Sequence, residues 1–182
     1  MNTHPLAFLA AAALAAFWPA YPLHAEEKKP ALSAEDQGQL SAAEERLRKT
    51  VDLIVNSKYA EAEAEYRAVL AVQERVLGPE HPDTLATRTN KLAAVLRFQG
   101  KHAELEAEYR AVLAIRERVL GGEHPDIAAT CYNLAMCLEA QKKNNEALDF
   151  ARRALAVWEK TKGKEYFLAA HARALVTRLE KN

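Results

Sequence analysis

Cysteine is nearly absent from the chain. Among 182 residues there are two, Cys131 and Cys137. On one helix they stand about 9 Å apart along the axis, at about 1.5 Å per residue, and point to different faces. A disulfide needs Cα atoms within roughly 7 Å, so buried free thiols are expected instead of a bridge. Net charge is missing as well: 25 basic residues balance 25 acidic ones. That balance points neither to nucleic acid nor to an acidic membrane surface. Glycine and proline are scarce, at six and seven. Alanine is abundant, a composition that favours closely packed helices. Catalytic patterns are lacking too. There is no glycine-rich phosphate loop, Ser-His-Asp set or nucleophile motif, and the glutamates do not focus on one cavity. No enzyme, cofactor or metal site is expected.

Charged side chains are also missing from residues 1–25, which contain no Asp, Glu, Lys or Arg. The apolar run from Leu6 to Trp18 is too short to span a bilayer as a helix. It suits the h-region of a secretory signal, and Leu23-His24-Ala25 places a small residue just before Glu26. The n-region offers only the terminal amine and His4. No cysteine near Ala25 supports lipid attachment. Residues 1–25 are therefore expected to be a cleaved signal on an exported protein, periplasmic or secreted in a bacterium. The alternative is an uncleaved anchor, which would be the chain's one link to a membrane. Residues 26–32 (EEKKPAL) read as a polar linker.

What the chain does contain is a long internal repeat. Glu63–Asp83 reads EAEYRAVLAVQERVLGPEHPD, and Glu106–Asp126, 43 residues later, reads EAEYRAVLAIRERVLGGEHPD. Eighteen of the 21 positions are identical. A repeat of this length marks a stacked array, which works through the surface that its units build together.

Ser33 and Asp36 offer an N-cap and an acidic first turn. From there Leu40, Ala43, Leu47, Val51 and Ile54 fall at helical spacing, to about Asn56. In copy one, Tyr59, Ala62, Tyr66, Val69, Leu70 and Val76 form an apolar stripe. Gly78 ends that helix. Pro82 resists helix continuation, and Asp83 is positioned to cap the next helix. Copy two repeats the design with Leu105, Tyr109, Val112, Leu113, Ile115 and Val119, then Gly121 and His124-Pro125-Asp126. A third, degenerate copy follows at a spacing of 42: Lys143 matches Lys101, Arg152 matches Arg110 and Gly163 matches Gly121. The extra residue of the first period falls near Lys91, where Asn90-Lys91-Leu92-Ala93 faces Asn133-Leu134-Ala135. One inserted residue turns the following side chains by about 100°, so a bulge or register shift is expected there. The organisation predicted is a capping helix over 33–57, repeat 1 over 58–100 and repeat 2 over 101–142. A degenerate repeat 3 with a C-terminal capping helix covers 143–182.

Asn133-Leu134-Ala135, Gly100-Lys101, Leu77-Gly78, Leu120-Gly121 and the two His-Pro-Asp triplets resemble the tetratricopeptide repeat in its long form of about 42 residues, as in kinesin light chains. The similarity covers roughly residues 57–163. It implies an all-α fold, a right-handed superhelix of antiparallel helical hairpins. The first helix of each pair would line a concave face that holds an extended peptide or a partner helix. Asn90 and Asn133 on the second helices would also reach that groove.

The repeating positions have two readings each. Arg67, Arg110 and Arg152 form either a ladder for an acidic peptide or, with Glu63 and Glu106 at i−4, solvated ion pairs. Tyr66 and Tyr109 either pack between helices or stack on a ligand. His81 and His124, one repeat apart with no ligand cluster beside them, suit a turn better than a metal. The groove candidates are thus Tyr66, Arg67, Asn90, Tyr109, Arg110, Asn133 and Arg152. A non-enzymatic scaffold that binds a protein or peptide is the expected function. The alternative is a module that stacks end to end on copies of itself.

Overall fold

The computed structural model describes residues 31–181. The expected signal segment 1–25 and residues 26–30 of the linker lie outside the described residues. Among the described residues all regular structure is helical: α1 (Ala34–Val55), α2 (Tyr59–Val76), α3 (Pro82–Ala86), α4 (Ala93–Phe98), α5 (His102–Leu120), α6 (Pro125–Ala140), α7 (Asn144–Lys162) and α8 (Phe167–Leu179). A π-helical segment, Thr87–Leu92, joins α3 to α4 without leaving helical backbone space. These three pieces form one rod, the second helix of repeat 1. The hairpins are thus α2 with that rod, α5 with α6, and α7 with α8.

The extra residue near Lys91 is accommodated as the π segment. Six residues, Thr87–Leu92, take the wider turn, which absorbs one added residue locally. From its last residue onward, Leu92, Ala93, Val95 and Leu96 are buried, as are Leu134, Ala135, Cys137 and Leu138 of α6. Up to its first residue, Leu85 and Thr87 match the buried Ala128 and Thr130. The insertion therefore leaves the same face of the helix in the core on both sides.

Two kinds of turn recur. Each first helix gives way to a glycine of positive φ: Gly78 (95°), Gly121 (75°) and Gly163 (88°). Each second helix followed by another repeat, and α1 like them, ends on a left-handed residue, Ser57 (58°), Gly100 (69°) and Lys142 (63°). The next amide then reaches back, from Lys58 to Leu53, Lys101 to Leu96 and Lys143 to Leu138, at 2.7, 2.9 and 3.0 Å. This is the Schellman pattern, and two of its three examples hold a side chain where glycine is easiest. The Ser33 cap forms as expected, its Oγ accepting from the Asp36 amide at 3.0 Å. The caps of the second helices differ from expectation. His81 and His124, not the aspartates, are the N-caps, their Nδ1 atoms accepting from the Asp83 and Asp126 amides at 3.2 and 3.1 Å. Proline occupies the first turn, where its missing N–H costs nothing.

The core runs as one cluster from Ala62 of α2 to Leu179 of α8. Trp158, Tyr109, Leu105, Leu134 and Leu138 are almost wholly enclosed. Burying one such Leu contributes about 1.5–3 kcal/mol. Two residues expected in apolar stripes are exposed instead: Val51 at 58% and Val119 at 50%. Among the described elements, α1 packs chiefly on α2. Val119 sits at the turn end of α5. Cys131 and Cys137 are buried and free. Burial pushes the Cys131 thiol up to about 11. No described helix is long and apolar enough to cross a membrane.

Candidate functional site

The shared residues of the repeat build a charged seam between successive hairpins. Its node is a glutamate on each first helix, Glu63 on α2 and Glu106 on α5. Glu106 accepts from Lys143 Nζ at 2.7 Å, Gln141 Nε2 at 2.8 Å and Arg110 Nε at 2.9 Å. Glu63 accepts from Lys101, Gln99 and Arg67 at 2.7, 2.9 and 2.9 Å. Each node thus ties a first helix to the end of its second helix and to the start of the next repeat. Burial alone raises the pKa of both carboxyls. The lysine, glutamine and arginine hydrogen bonds outweigh it and hold each at about 2. Both glutamates are charged at neutral pH.

The arginines extend the seam. Arg67 reaches Glu104 of the next first helix at 2.8 Å, and Arg110 pairs with Glu146 in the same way. Arg152 takes Glu180 at the end of α8, at 2.7 Å. A second row runs beside it: Arg75 of α2 pairs with Asp36 in the first turn of α1, and Arg118 and Lys160 pair with Glu80 and Glu123 in the turns of the preceding repeats. The arginine ladder is therefore matched by carboxylates along its length, although its side chains remain 44%, 40% and 56% exposed.

Of the other groove candidates, Tyr66 and Tyr109 are corrected to core residues. They are 3% and 1% exposed, which leaves no ring face for a ligand. The Tyr66 hydroxyl accepts from Thr50 at 2.9 Å, and the Tyr109 hydroxyl accepts from Arg97 at 3.4 Å. Asn90 is exposed on the π segment, whereas Asn133 is half-buried on α6. The widened turn thus separates two positions that the sequence pairs. Beside Asn90, Arg88 bridges Glu74 of α2 and Glu108 of α5. Its Nε and the Oε1 of Gln73 are buried without a hydrogen-bond partner. His81 and His124 are engaged as caps, and no group of three metal-ligating residues occurs among the described residues.

The Glu63 and Glu106 nodes were missed by sequence reasoning. Their signal was present: Gln-x-Lys recurs at Gln99-Gly100-Lys101 and Gln141-Lys142-Lys143, in step with the glutamates.

Stacked hairpins with a repeating seam define a helical repeat scaffold. Models of the tetratricopeptide repeat match residues 56–83 and 86–160, together more than half of the chain, which belongs to the tetratricopeptide-repeat family. The fold is similar to a crystal structure from Podosopora anserina described as a kinesin light chain with nearly identical TPR-like repeats. The TM-score is 0.67 and the identity 25%, over 78% of this chain and 67% of that one. A crystal structure of a single-substitution variant of that protein matches equally, over 66% of its length. BtubC (BKLC) from P. vanneervenii shares the fold at a TM-score of 0.64 and 17% identity, over 82% of this chain and 67% of that one. The chain thus spans about two thirds of these structures. No curated protein matches it in sequence. Tetratricopeptide repeats generally mediate contacts between proteins and are typically non-catalytic.

Proposed function

We propose that this chain is an exported scaffold that captures a peptide or helix of a partner protein on the face formed by its first helices, α2, α5 and α7. The observation that carries the reading is the row Arg67, Arg110 and Arg152. These side chains stand at equivalent positions on consecutive first helices and keep 40–56% of their surface open despite their ion pairs. The family resemblance puts first helices on the concave side. Because each arginine is already matched by a carboxylate, a ligand gains little from bare negative charge. It is selected by hydrogen bonds to the free edges of the guanidinium groups. Asn133 and the exposed Asn90 add amides from the second helices. A scaffold held rigid by the seam spends little ordering free energy on binding.

Crosslinking of the tagged protein in its native cell, followed by mass spectrometry, tests this reading. Partner crosslinks should map near Arg67, Arg110 and Arg152, and Arg110→Ala should weaken capture several-fold. Recovery of no partner above background at several salt concentrations would refute it. The same sample reports the N-terminus: a mature chain starting at Glu26 supports export by a cleaved signal, and an intact Met1 contradicts it. Light scattering over a concentration range distinguishes capture of a partner from end-to-end self-assembly.

A further inference from the structure

The turn edge of the array carries a feature separate from the first-helix face. A notch of about 320 Å³ opens between the start of the second helix of repeat 1 and the end of α5. Pro82, Leu85 and Ala86 of the second helix and Val119 and Leu120 of α5 line it, with Glu80, Arg116 and Asp126. Leu85 is buried, but Val119 and Leu120 are 50% and 40% exposed. Two large apolar side chains therefore face water around an apolar hollow.

The next repeat shows what fills the equivalent place. The position of Arg116 is taken there by Trp158, whose ring is 1% exposed. It packs 5.7 Å from the Tyr132 ring and 6.1 Å from the Tyr166 ring. The positions of Tyr132 and Tyr166 are held in the earlier repeat by Thr89 and His124. The rims change in step. Where the indole is present, Thr161 and Lys162 stand in place of Val119 and Leu120. Where it is missing, the rim is apolar. Arg116 does not fill the gap, because its guanidinium turns toward α6. It donates there to the Asp126 carbonyl at 3.0 Å and to Thr130 Oγ1 at 2.6 Å.

We propose that this notch docks one aromatic side chain of a protein partner, in the place that Trp158 occupies one repeat on. Ligand pockets run from about 300 to 1,000 Å³, so the volume suits a single anchoring side chain better than a larger ligand. An aromatic ring is favoured over an aliphatic one because the side chain at the Arg116 position one repeat on is an enclosed indole, packed on the Tyr132 ring of α6. Aromatic anchors in desolvated pockets also dominate protein interfaces generally. The site does not depend on the first-helix face, so either can fail without the other.

Methyl NMR of the full chain, titrated with N-acetyl-tryptophanamide, N-acetyl-phenylalaninamide and N-acetyl-leucinamide, tests the proposal. The two aromatic probes should give saturable shifts centred on the Leu85, Val119 and Leu120 methyls, with leucinamide at least fivefold weaker. Arg116→Trp should plug the notch and weaken the response at least tenfold. Should that variant not fold, the double substitution Val119→Thr and Leu120→Lys, which copies the next repeat's rim, should do the same. Four results would overturn the proposal: no saturable shift, an equal response to leucinamide, an unchanged response in both variants, or shifts at the notch that follow protein concentration alone. The last would assign the site to a second copy of the chain.

Discussion

Replacing Glu106 by Gln removes one node of the inter-repeat seam while keeping its shape. In the folded chain this carboxyl is held at about 2 against an ordinary 4.5. At 1.36 kcal/mol per pKa unit the difference corresponds to about 3 kcal/mol as an upper figure. Glu106 itself is only 13% exposed, but its partners Lys143 and Arg110 are 46% and 40% exposed. Solvent screening of those partners lowers the expected loss to about 1–2 kcal/mol at neutral pH. The sign of the pH dependence follows. A depressed folded-state pKa stabilises fully above the unfolded value, near about 4.5, and the contribution is lost as pH falls toward about 2. Urea unfolding followed by far-ultraviolet circular dichroism, at about pH 7, 5, 4 and 3, measures it. Glu106→Gln should be less stable by about 1–2 kcal/mol at pH 7, and less than half of that deficit should remain at pH 3. A variant as stable as its parent at pH 7, or a deficit unchanged at pH 3, would show that the node is not a source of stability. Glu63→Gln should behave alike, since it has the same three kinds of partner.

Deleting Lys91 should convert the π segment to regular α-helix with every buried residue of repeat 1 still inward, and cost under about 1 kcal/mol. Deleting Ala129 from α6, which has no such slack, should rotate the following turns by about 100° and melt the array by circular dichroism. His124→Ala should lose about 1 kcal/mol through the missing helix cap, whereas His124→Asn should retain most of it, as read by thermal melting. Cys131, with its thiol pushed up to about 11, should resist alkylation at about pH 8 in the native chain and react at the rate of unfolding.

The helical hairpins were legible because the repeat shows its own boundaries. Leu-Gly, His-Pro-Asp and the apolar spacing recur together, and each fixes a turn or a helix face. The place of the Lys91 insertion was legible from the mismatch between two copies. Its form as a π segment rests on backbone hydrogen bonding that the sequence does not spell out. Side-chain partners were harder. Arg67 and Arg110 have visible i−4 glutamates, but their second partners, Glu104 and Glu146, lie 37 and 36 residues away. Only stacking brings them close. The two tyrosines show the limit of repetition as a guide to function. A residue recurs in each unit whether it contacts a ligand or the core, and only burial distinguishes the cases. The notch was hidden for the opposite reason, since it arises from a residue that fails to recur, Arg116 in place of Trp158.

The pairing of Arg152 with Glu180 bears on how such a chain can lengthen. Every full unit carries the arginine for one junction and the carboxylate for the preceding one, so a duplicated unit arrives with both halves of its joints. An added copy spliced in after residue 142 would find Arg110 waiting and would present its own arginine onward. The terminal Arg152 would still close on Glu180. Growth of the array by gene duplication therefore meets no mismatched charge at either splice point. The near-identity of Glu63–Asp83 and Glu106–Asp126 fits a chain in which that event has already happened once.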